Sequence, residues 1–333
     1  MNFRLDMPDP VQTQDALSAA LRDFLGAEAR LEAWVALPVS RRGKHRALRY
    51  DLKARMAGGP RVRHCQWVGK FYEREDDARK VAAVLREFAS ADGPARGKLA
   101  VPTVLAYHAP LRLLLLTYES GESVIAALTQ HDALVLPALG RALAALHSTP
   151  VTLEGTVSAA DVLDDLGRRV ADLCARFPGQ AVSLRRIFGT LERGAPCAPG
   201  APSFLHGDLG PAQLLWQMGR VVVLDFDKCA RGDPALDLGN LLTQLRRLAL
   251  RKPGKLRDFA SLRQGLLEAY ARGSPADSDL AARVAWYERV MLLRKIHFLV
   301  LRATRHKEAE TLRQRQAEGI GLLRELPALL ESC

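Results

Sequence analysis

The sequence predicts a two-lobed α+β protein: a small N-terminal antiparallel β lobe with one helix, then a larger, mainly helical C-terminal lobe. Three observations carry that expectation. The N-terminal portion alternates apolar and polar residues with period two. The remainder places its apolar residues at helical spacing. One strand-turn-strand segment, FLHGDLGPAQLLWQMGRVVVLDFD at 204–227, interrupts that helical part. With 333 residues, 48% of them hydrophobic, the chain has apolar material for one large core or two moderate ones.

Taken in order, strands are expected over 34–39, 46–56 and 62–72, joined by SRRGK and by Ala57-Gly58-Gly59-Pro60. In the middle strand Leu48, Tyr50, Leu52, Ala54 and Met56 alternate with Arg49, Asp51, Lys53 and Arg55, which places the charged set toward solvent. A helix is expected over 76–89, with Ala78, Val81, Ala82, Leu85 and Phe88 in one stripe and Glu75-Asp76-Asp77 loading its first turn with favourable negative charge. Strands over 101–107 and 111–118 flank the turn His108-Ala109-Pro110. Helices follow over 134–147, 159–177, 184–192, 236–250 and 256–272, with a long helical stretch over 281–330. Within 204–227, Leu214-Leu215-Trp216 and Val221-Val222-Val223-Leu224 read as the two arms of a hairpin, with Gly219 in its turn.

That hairpin concentrates acidic residues. With Met218-Gly219 at the turn centre, Gln213 faces Leu224 and the loop carrying Asp208 returns beside Asp225, with Asp227 one alternation further on. Two readings stand. Asp residues in loops commonly hydrogen-bond nearby amides and shape turns. Clustered carboxylate and amide oxygens also suit Mg²⁺, which usually takes one or two carboxylates plus substrate phosphates.

Charge and cysteine usage narrow the classes. The net charge is +11, and ten Lys or Arg against the single acid Asp51 fall between Ser40 and Lys70. Such a stripe fits nucleic acid, a phosphate-rich small ligand or a solvated sheet face. The alternation in the middle strand favours the last. Five scattered cysteines, Cys65, Cys174, Cys197, Cys229 and Cys333, show no paired spacing and support neither a disulfide framework nor a zinc site. Their usage and the absence of an apolar leader or membrane-length run point to a cytoplasmic, soluble protein.

A β lobe with one helix, a linker strand and a helical lobe whose hairpin has acidic loop ends resembles the kinase-like phosphotransferases. The resemblance narrows to the aminoglycoside phosphotransferase and choline kinase-like family on VGKFY (68–72), VPTVLAYHAPLRLLLLTYESGES (101–123), LGRALAALHSTP (139–150), HGDLGPAQLLW (206–216), VVVLDFD (221–227) and GDPALDLGNLL (232–242), in the family's order. It implies a protein-kinase-like fold, with 1–118 as a nucleotide-binding lobe and 119–333 as a lobe with the catalytic and metal-binding loops and the acceptor site. It further implies ATP, with GTP as the alternative nucleotide, and Mg²⁺.

By the same resemblance, Asp208 matches the catalytic aspartate that orients the acceptor hydroxyl and accepts its proton. Asp225 matches the metal-binding aspartate, and Lys70, mid-sheet on the third strand between Gly69 and Phe71, the lysine that holds the α and β phosphates. Its glutamate partner is expected on the following helix. Glu87 has about the right separation and is favoured, although Glu75 aligns better with the apolar stripe. Backbone groups around Tyr118 and Glu119 would hold adenine, while His206 and Asp237 would shape the catalytic loop. At Gln213 the family normally has asparagine, the amide ligand of a second metal. Glutamine keeps the oxygen one methylene further out, against the near-octahedral demand of Mg²⁺. The phosphate loop is also poor in glycine: SRRGKHRALRY has only Gly43, so Arg41, Arg42, Lys44 and Arg46 would cover phosphates by charge.

The acceptor is expected to be a small hydroxyl compound, neutral or anionic. From Ala281 to Cys333 there are ten Lys or Arg against six Glu, the wrong lining for a polycationic aminoglycoside. A choline cage would need clustered aromatics, and adjacent Trp286 and Tyr287 do not share a helix face. On that helical stretch, a solvated face is the plain reading of the charges, and packing or surface positions that of His297 and His306. The expected function is therefore an ATP-dependent phosphotransferase, with nucleic acid not its partner. A catalytically weak nucleotide-binding module acting through its basic surface on nucleic acid or another anionic partner is the alternative. Steep salt dependence of oligonucleotide binding would mark that alternative.

Overall fold

The structure, a computed structural model, describes residues 9–40, 46–56, 62–90, 97–196, 202–252, 256, 258–302 and 309–331. Two compact units divide the chain: residues 1–96, 100–121 and 222–227 form the first, and residues 97–99, 122–221 and 228–333 the second. The mixed α+β class expected from the pattern is what forms.

The first unit is built on a five-stranded antiparallel sheet of β1 (Arg30–Ser40), β2 (Arg46–Arg55), β3 (Val62–Phe71), β5 (Val104–His108) and β6 (Leu113–Thr117), in the order β1-β2-β3-β6-β5. A two-residue strand, β4 (Leu99–Ala100), precedes β5. The period-two alternation of β2 is realised: Leu48, Tyr50, Leu52 and Ala54 are buried, and Lys53 and Arg55 are exposed. Helix α2 (Glu75–Ser90) packs on β5 and β6, burying Ala78, Val81, Ala82, Leu85 and Phe88, the stripe its spacing marks out.

The lobe has a second helix where one is expected. Helix α1 (Pro10–Leu25) lays Ala16, Leu17, Ala20 and Leu21 on the sheet face formed by Tyr50, Leu52 and Trp67. Its termini carry standard signals: the Asp9 carboxylate accepts from Val11 N (2.9 Å), Pro10 opens the helix, and Gly26 at φ 110° ends it. Each fully buried leucine contributes about 1.5–3 kcal/mol of burial, so α1 is part of the core of this unit. Arg41, Arg42, Gly43 and Lys44 of SRRGK and the 57–60 turn lie outside the described residues, as do Cys197, Cys333 and His306. Cys65, Cys174 and Cys229 are free thiols.

The second unit is mainly helical: α3 (Val124–Ser148), α4 (Ala159–Arg176), α5 (Ala181–Arg193), α6 (Ala235–Arg251), α7 (Phe259–Ala271), α8 (Leu280–His297) and α9 (Ala309–Glu331). In α3 the non-helical His131 (φ −140°) marks a kink, which separates the expected 134–147 helix from an added N-terminal segment. The expected 281–330 stretch is two helices, because α8 passes into a π-turn at Phe298–Arg302 before α9. The main packing pairs are α3 with α7 and α6 with α8. Short strands β8 (Thr156–Val157), β9 (Ser203–Leu205) and β12 (Ala230–Gly232) form a small sheet, with β7 (Glu122–Ser123) pairing to β10 (Leu214–Gln217). Strand β11 (Arg220–Val223) completes the hairpin with β10. Its turn has Met218 at φ 48° and Gly219 at φ 84°, the two positive φ angles a type I′ turn needs. Among the described residues no helix is long and apolar enough to cross a membrane.

Candidate active site

Lys70 sits one residue before the C-terminal end of β3, the central strand of the sheet, opposite Ala47 of β2 and Leu114 of β6. Its ammonium donates to Asp225 Oδ1 and to Asp227 Oδ2, 2.7 Å each, within the first unit. Tyr72, one turn of the pleat further on, donates its hydroxyl to Asp227 Oδ1 at 2.8 Å. Burial, then the neighbouring Asp227 charge, pushes the Tyr72 phenol far up, so it stays a donor to that carboxylate. Asp225 itself adopts φ 70°, a left-handed conformation that few residues other than Gly accept and Asp tolerates. The next residue, Phe226, is buried with its ring 5.6 Å from Phe88 of α2, which anchors the segment.

The other expected residues of this unit are placed differently from one another. Glu87 is half-buried on α2, and Glu75 bonds to Arg79 one turn along the same helix. The carboxylates that meet Lys70 are those of Asp225 and Asp227. At the end of β6, Tyr118 N donates to Gln66 O (3.1 Å), which removes that N–H from the backbone groups expected at a base. Glu119 accepts from Thr117 Oγ1 at 2.6 Å, and Thr117 Oγ1 in turn accepts from Thr103 N.

In the second unit the loop 206–213 is held by one buried carboxylate. Asp237, in the first turn of α6, accepts from His206 N (2.6 Å) and Gly207 N (3.0 Å), and is fully buried. His147 at the end of α3 stands 3.3 Å from the same carboxylate, with its other nitrogen 2.9 Å from the Tyr270 hydroxyl. Burial holds the Tyr270 phenol well above its ordinary value, with Asp233 and Asp237 adding to it. With Asp237 as an acceptor, a neutral imidazole donates Nε2–H to the carboxylate and accepts from the Tyr270 hydroxyl at Nδ1. Gly207 is required: it has φ 77°, and a Cβ there would stand 2.0 Å from Lys228 O. Asn240 Nδ2, one turn after Asp237, donates to Leu209 O at 2.9 Å. So anchored, the loop presents Asp208, whose Oδ2 accepts from Lys228 Nζ at 2.6 Å. Gln213 is half-buried and closes the short helical turn Pro211–Gln213 that leads into β10.

Sequence reasoning singled out Lys70, Asp208, Asp225, His206 and Asp237. It gave no role to Tyr72, Lys228, His147 or Asn240. Asn240 had a signal, since it follows Asp237 by three residues on one helix face. His147 had one too, since it lies in the LGRALAALHSTP block; Tyr270 had none, because it meets His147 only through the packing of α7 on α3. Trp286 and Tyr287 are core: both are buried, their rings meet edge to face at 4.8 Å, and Trp286 Nε1 donates to Leu191 O. His297 is buried too, 2.8 Å from Asp172.

The donor set fits the metal the resemblance implies. Carboxylates two residues apart converge on one cation, the Lys70 ammonium, and such oxygens suit Mg²⁺. No group of three or more His, Cys, Asp or Glu among the described residues is placed to hold a metal by itself.

This architecture is that of the two-lobed, kinase-like phosphotransferases. Residues 53–287 match the phosphotransferase enzyme family APH, and the chain belongs to that family. Solved structures repeat the fold. The macrolide 2′-phosphotransferase MphH from Brachybacterium faecium is 21% identical, over 92% of this chain and 97% of that one, with a TM-score of 0.54. The ADP-bound aminoglycoside phosphotransferase APH(2″)-Ib is 14% identical, over 96% and 99%, with a TM-score of 0.61. A choline/ethanolamine kinase family protein from Mesorhizobium loti is 18% identical, over 96% and 99%, with a TM-score of 0.57. Among curated proteins none matches the chain.

Proposed function

We propose that the protein is an ATP- and Mg²⁺-dependent phosphotransferase that phosphorylates a hydroxyl of a small metabolite or saccharide. The observation that carries this reading is the Lys70 ammonium, 12% exposed, clasped between Asp225 and Asp227 on one unit. A half-buried cation on a central strand, matched to carboxylates on a strained loop, is the part list phosphoryl transfer needs. Nucleotide contacts fall to residues 1–118 and acceptor contacts to 119–333. Mg²⁺, when bound, would supply positive charge that offsets the negative charge of the transferred phosphate.

The chain's own residues do the rest. Lys70 pairs with α and β phosphate oxygens, and Asp225 with Gln213 supplies oxygen ligands. Glu87 and the backbone at Tyr118 and Glu119 belong to the nucleotide side. Asp208 orients the acceptor hydroxyl and takes its proton, held in place by the Asp237 anchor of its loop. A polycationic aminoglycoside does not suit this acceptor side, because Arg294 and Lys295 stand within electrostatic reach of Asp208.

Thermal unfolding with ATP and Mg²⁺, separately and together, tests the reading on wild type and Asp225→Asn. Asparagine tolerates the positive φ at this position, so the variant keeps the loop. A metal-dependent rise in Tm that Asp225→Asn abolishes is the expected outcome. A wild type indifferent to every nucleotide sinks the proposal.

A further inference from the structure

Two carboxylates hold Lys70 at the same distance, and they differ in almost everything else. The Asp225 side chain is 50% exposed, on a residue with φ 70°, and meets Lys70 through Oδ1. The Asp227 side chain is 15% exposed and has both oxygens engaged. Its Oδ2 accepts from Lys70 at 2.7 Å and its Oδ1 from the Tyr72 hydroxyl at 2.8 Å. Tyr72 is itself fixed: it is buried, its backbone N donates to Arg112 O at 3.0 Å, and its ring centre lies 5.9 Å from the Lys70 ammonium. Two residues after Lys70, it falls on the same side of the chain. Lys70, Tyr72 and Asp227 thus form one connected group, all within the first unit.

The two acids suit different work. An exposed carboxylate is open to a metal, whereas one whose oxygens are shared between a lysine and a tyrosine is a fixed counter-charge. Lysine carries three ammonium donors on a flexible four-carbon stem, so a neighbour has to aim it. Two of those donors go to Asp225 and Asp227. When Asp225 turns to a metal, the donor it held passes to a phosphate oxygen, and Asp227 keeps the other.

We propose that Asp227, steadied by Tyr72, is the positioning residue of Lys70 in the nucleotide-bound protein, the part the family resemblance gives to a glutamate on α2. The inference rests on the ATP- and Mg²⁺-dependent reading with Asp225 on the metal. It adds to that site a carboxylate that acts through the lysine and not on the metal.

Calorimetric titrations of ATP with and without Mg²⁺ test it on wild type, Asp225→Asn, Asp227→Asn, Tyr72→Phe, Glu87→Gln and the double variant of Asp227→Asn with Tyr72→Phe. Asp227→Asn should bind MgATP at least about tenfold more weakly than wild type, the effect of a hydrogen bond to a charged group. Tyr72→Phe should lose less, about threefold. The double variant should bind no more weakly than Asp227→Asn, because Tyr72 acts through Asp227. The gain in ATP affinity that Mg²⁺ brings should persist in these three proteins and vanish in Asp225→Asn, a contrast that general loss of structure does not produce. Glu87→Gln should weaken MgATP less than Asp227→Asn does. Wild-type affinity in Asp227→Asn, loss of its Mg²⁺ gain, or a larger effect of Glu87→Gln overturns the proposal. Should Asp227→Asn not fold, wild-type affinity in Tyr72→Phe does the same. A wild type that binds no nucleotide defeats the kinase reading and this inference with it, whereas a wild type that binds MgATP beside an unaffected Asp227→Asn defeats this inference alone.

Discussion

At the scale of single residues, the buried Asp237 carboxylate does the most structural work near the candidate site. It satisfies two consecutive backbone amides of the 206–213 loop and one imidazole, all away from water. An amide in its place cannot accept from all three, and one buried donor left without a partner costs about 1–3 kcal/mol. Asp237→Asn is therefore expected to lower unfolding stability by about 2 kcal/mol, read from the urea midpoint. Asp208 differs, being partly exposed and paired with the exposed Lys228. Asp208→Asn should leave the urea midpoint unchanged and retain the MgATP-dependent rise in Tm. If Asp208 takes the acceptor proton, kcat falls about 10²- to 10⁴-fold.

At the scale of elements, the loop and the helix ends are where side chains fix geometry. Gly207→Ala would force a Cβ against Lys228 O in a conformation alanine avoids, and should destabilise the second unit by at least about 1–3 kcal/mol, measured by denaturant unfolding. The start of α6 is tied to α8 by Arg283, which donates to the buried Asp233 at 2.8 Å and to Asp277 at 2.7 Å. Removing that guanidinium strands a carboxylate that is 2% exposed, so Arg283→Met is expected to cost about 3–5 kcal/mol at neutral pH. The pH dependence has a definite sign. Arg283 holds the Asp277 carboxyl below its ordinary range, so this contribution is whole above the unfolded value of about 3.9 and fades as pH falls through the folded value. The gap between wild type and Arg283→Met should thus narrow below about pH 4, which urea titrations across pH 3–7 would show.

At the scale of the whole molecule, a ligand that binds only the folded chain raises its stability by mass action. MgATP at one hundred times its Kd should add about 2.7 kcal/mol. Calorimetric scans with and without MgATP check this, and an unchanged Tm for Lys70→Met would place the gain at that lysine.

Much of this was legible before any coordinates, and the rest has a physical reason for being hidden. The alternation of Leu48, Tyr50, Leu52 and Ala54, the stripe of α2 and the Met218-Gly219 turn are local: backbone sterics and side-chain periodicity settle them within a few residues. The order of HGDLGPAQLLW, VVVLDFD and GDPALDLGNLL marked the family, and with it Lys70, Asp208, Asp225 and Asp237. Helix α1 carries equally local signals in Asp9, Pro10 and Gly26. What sequence alone left open is which charges meet. Lys70 bonds to carboxylates 155 and 157 positions away, rather than to Glu87 seventeen residues along, and His147 reaches Asp237 across 90 positions. Such pairings depend on how helices and strands pack, and their strength on the burial that packing creates. So the chain's own pattern determined its elements, family and main polar residues. Only the tertiary structure decided that Asp227 and Tyr72 join Lys70 and that Lys228 holds Asp208, because each is a matter of distance and desolvation between segments far apart in sequence.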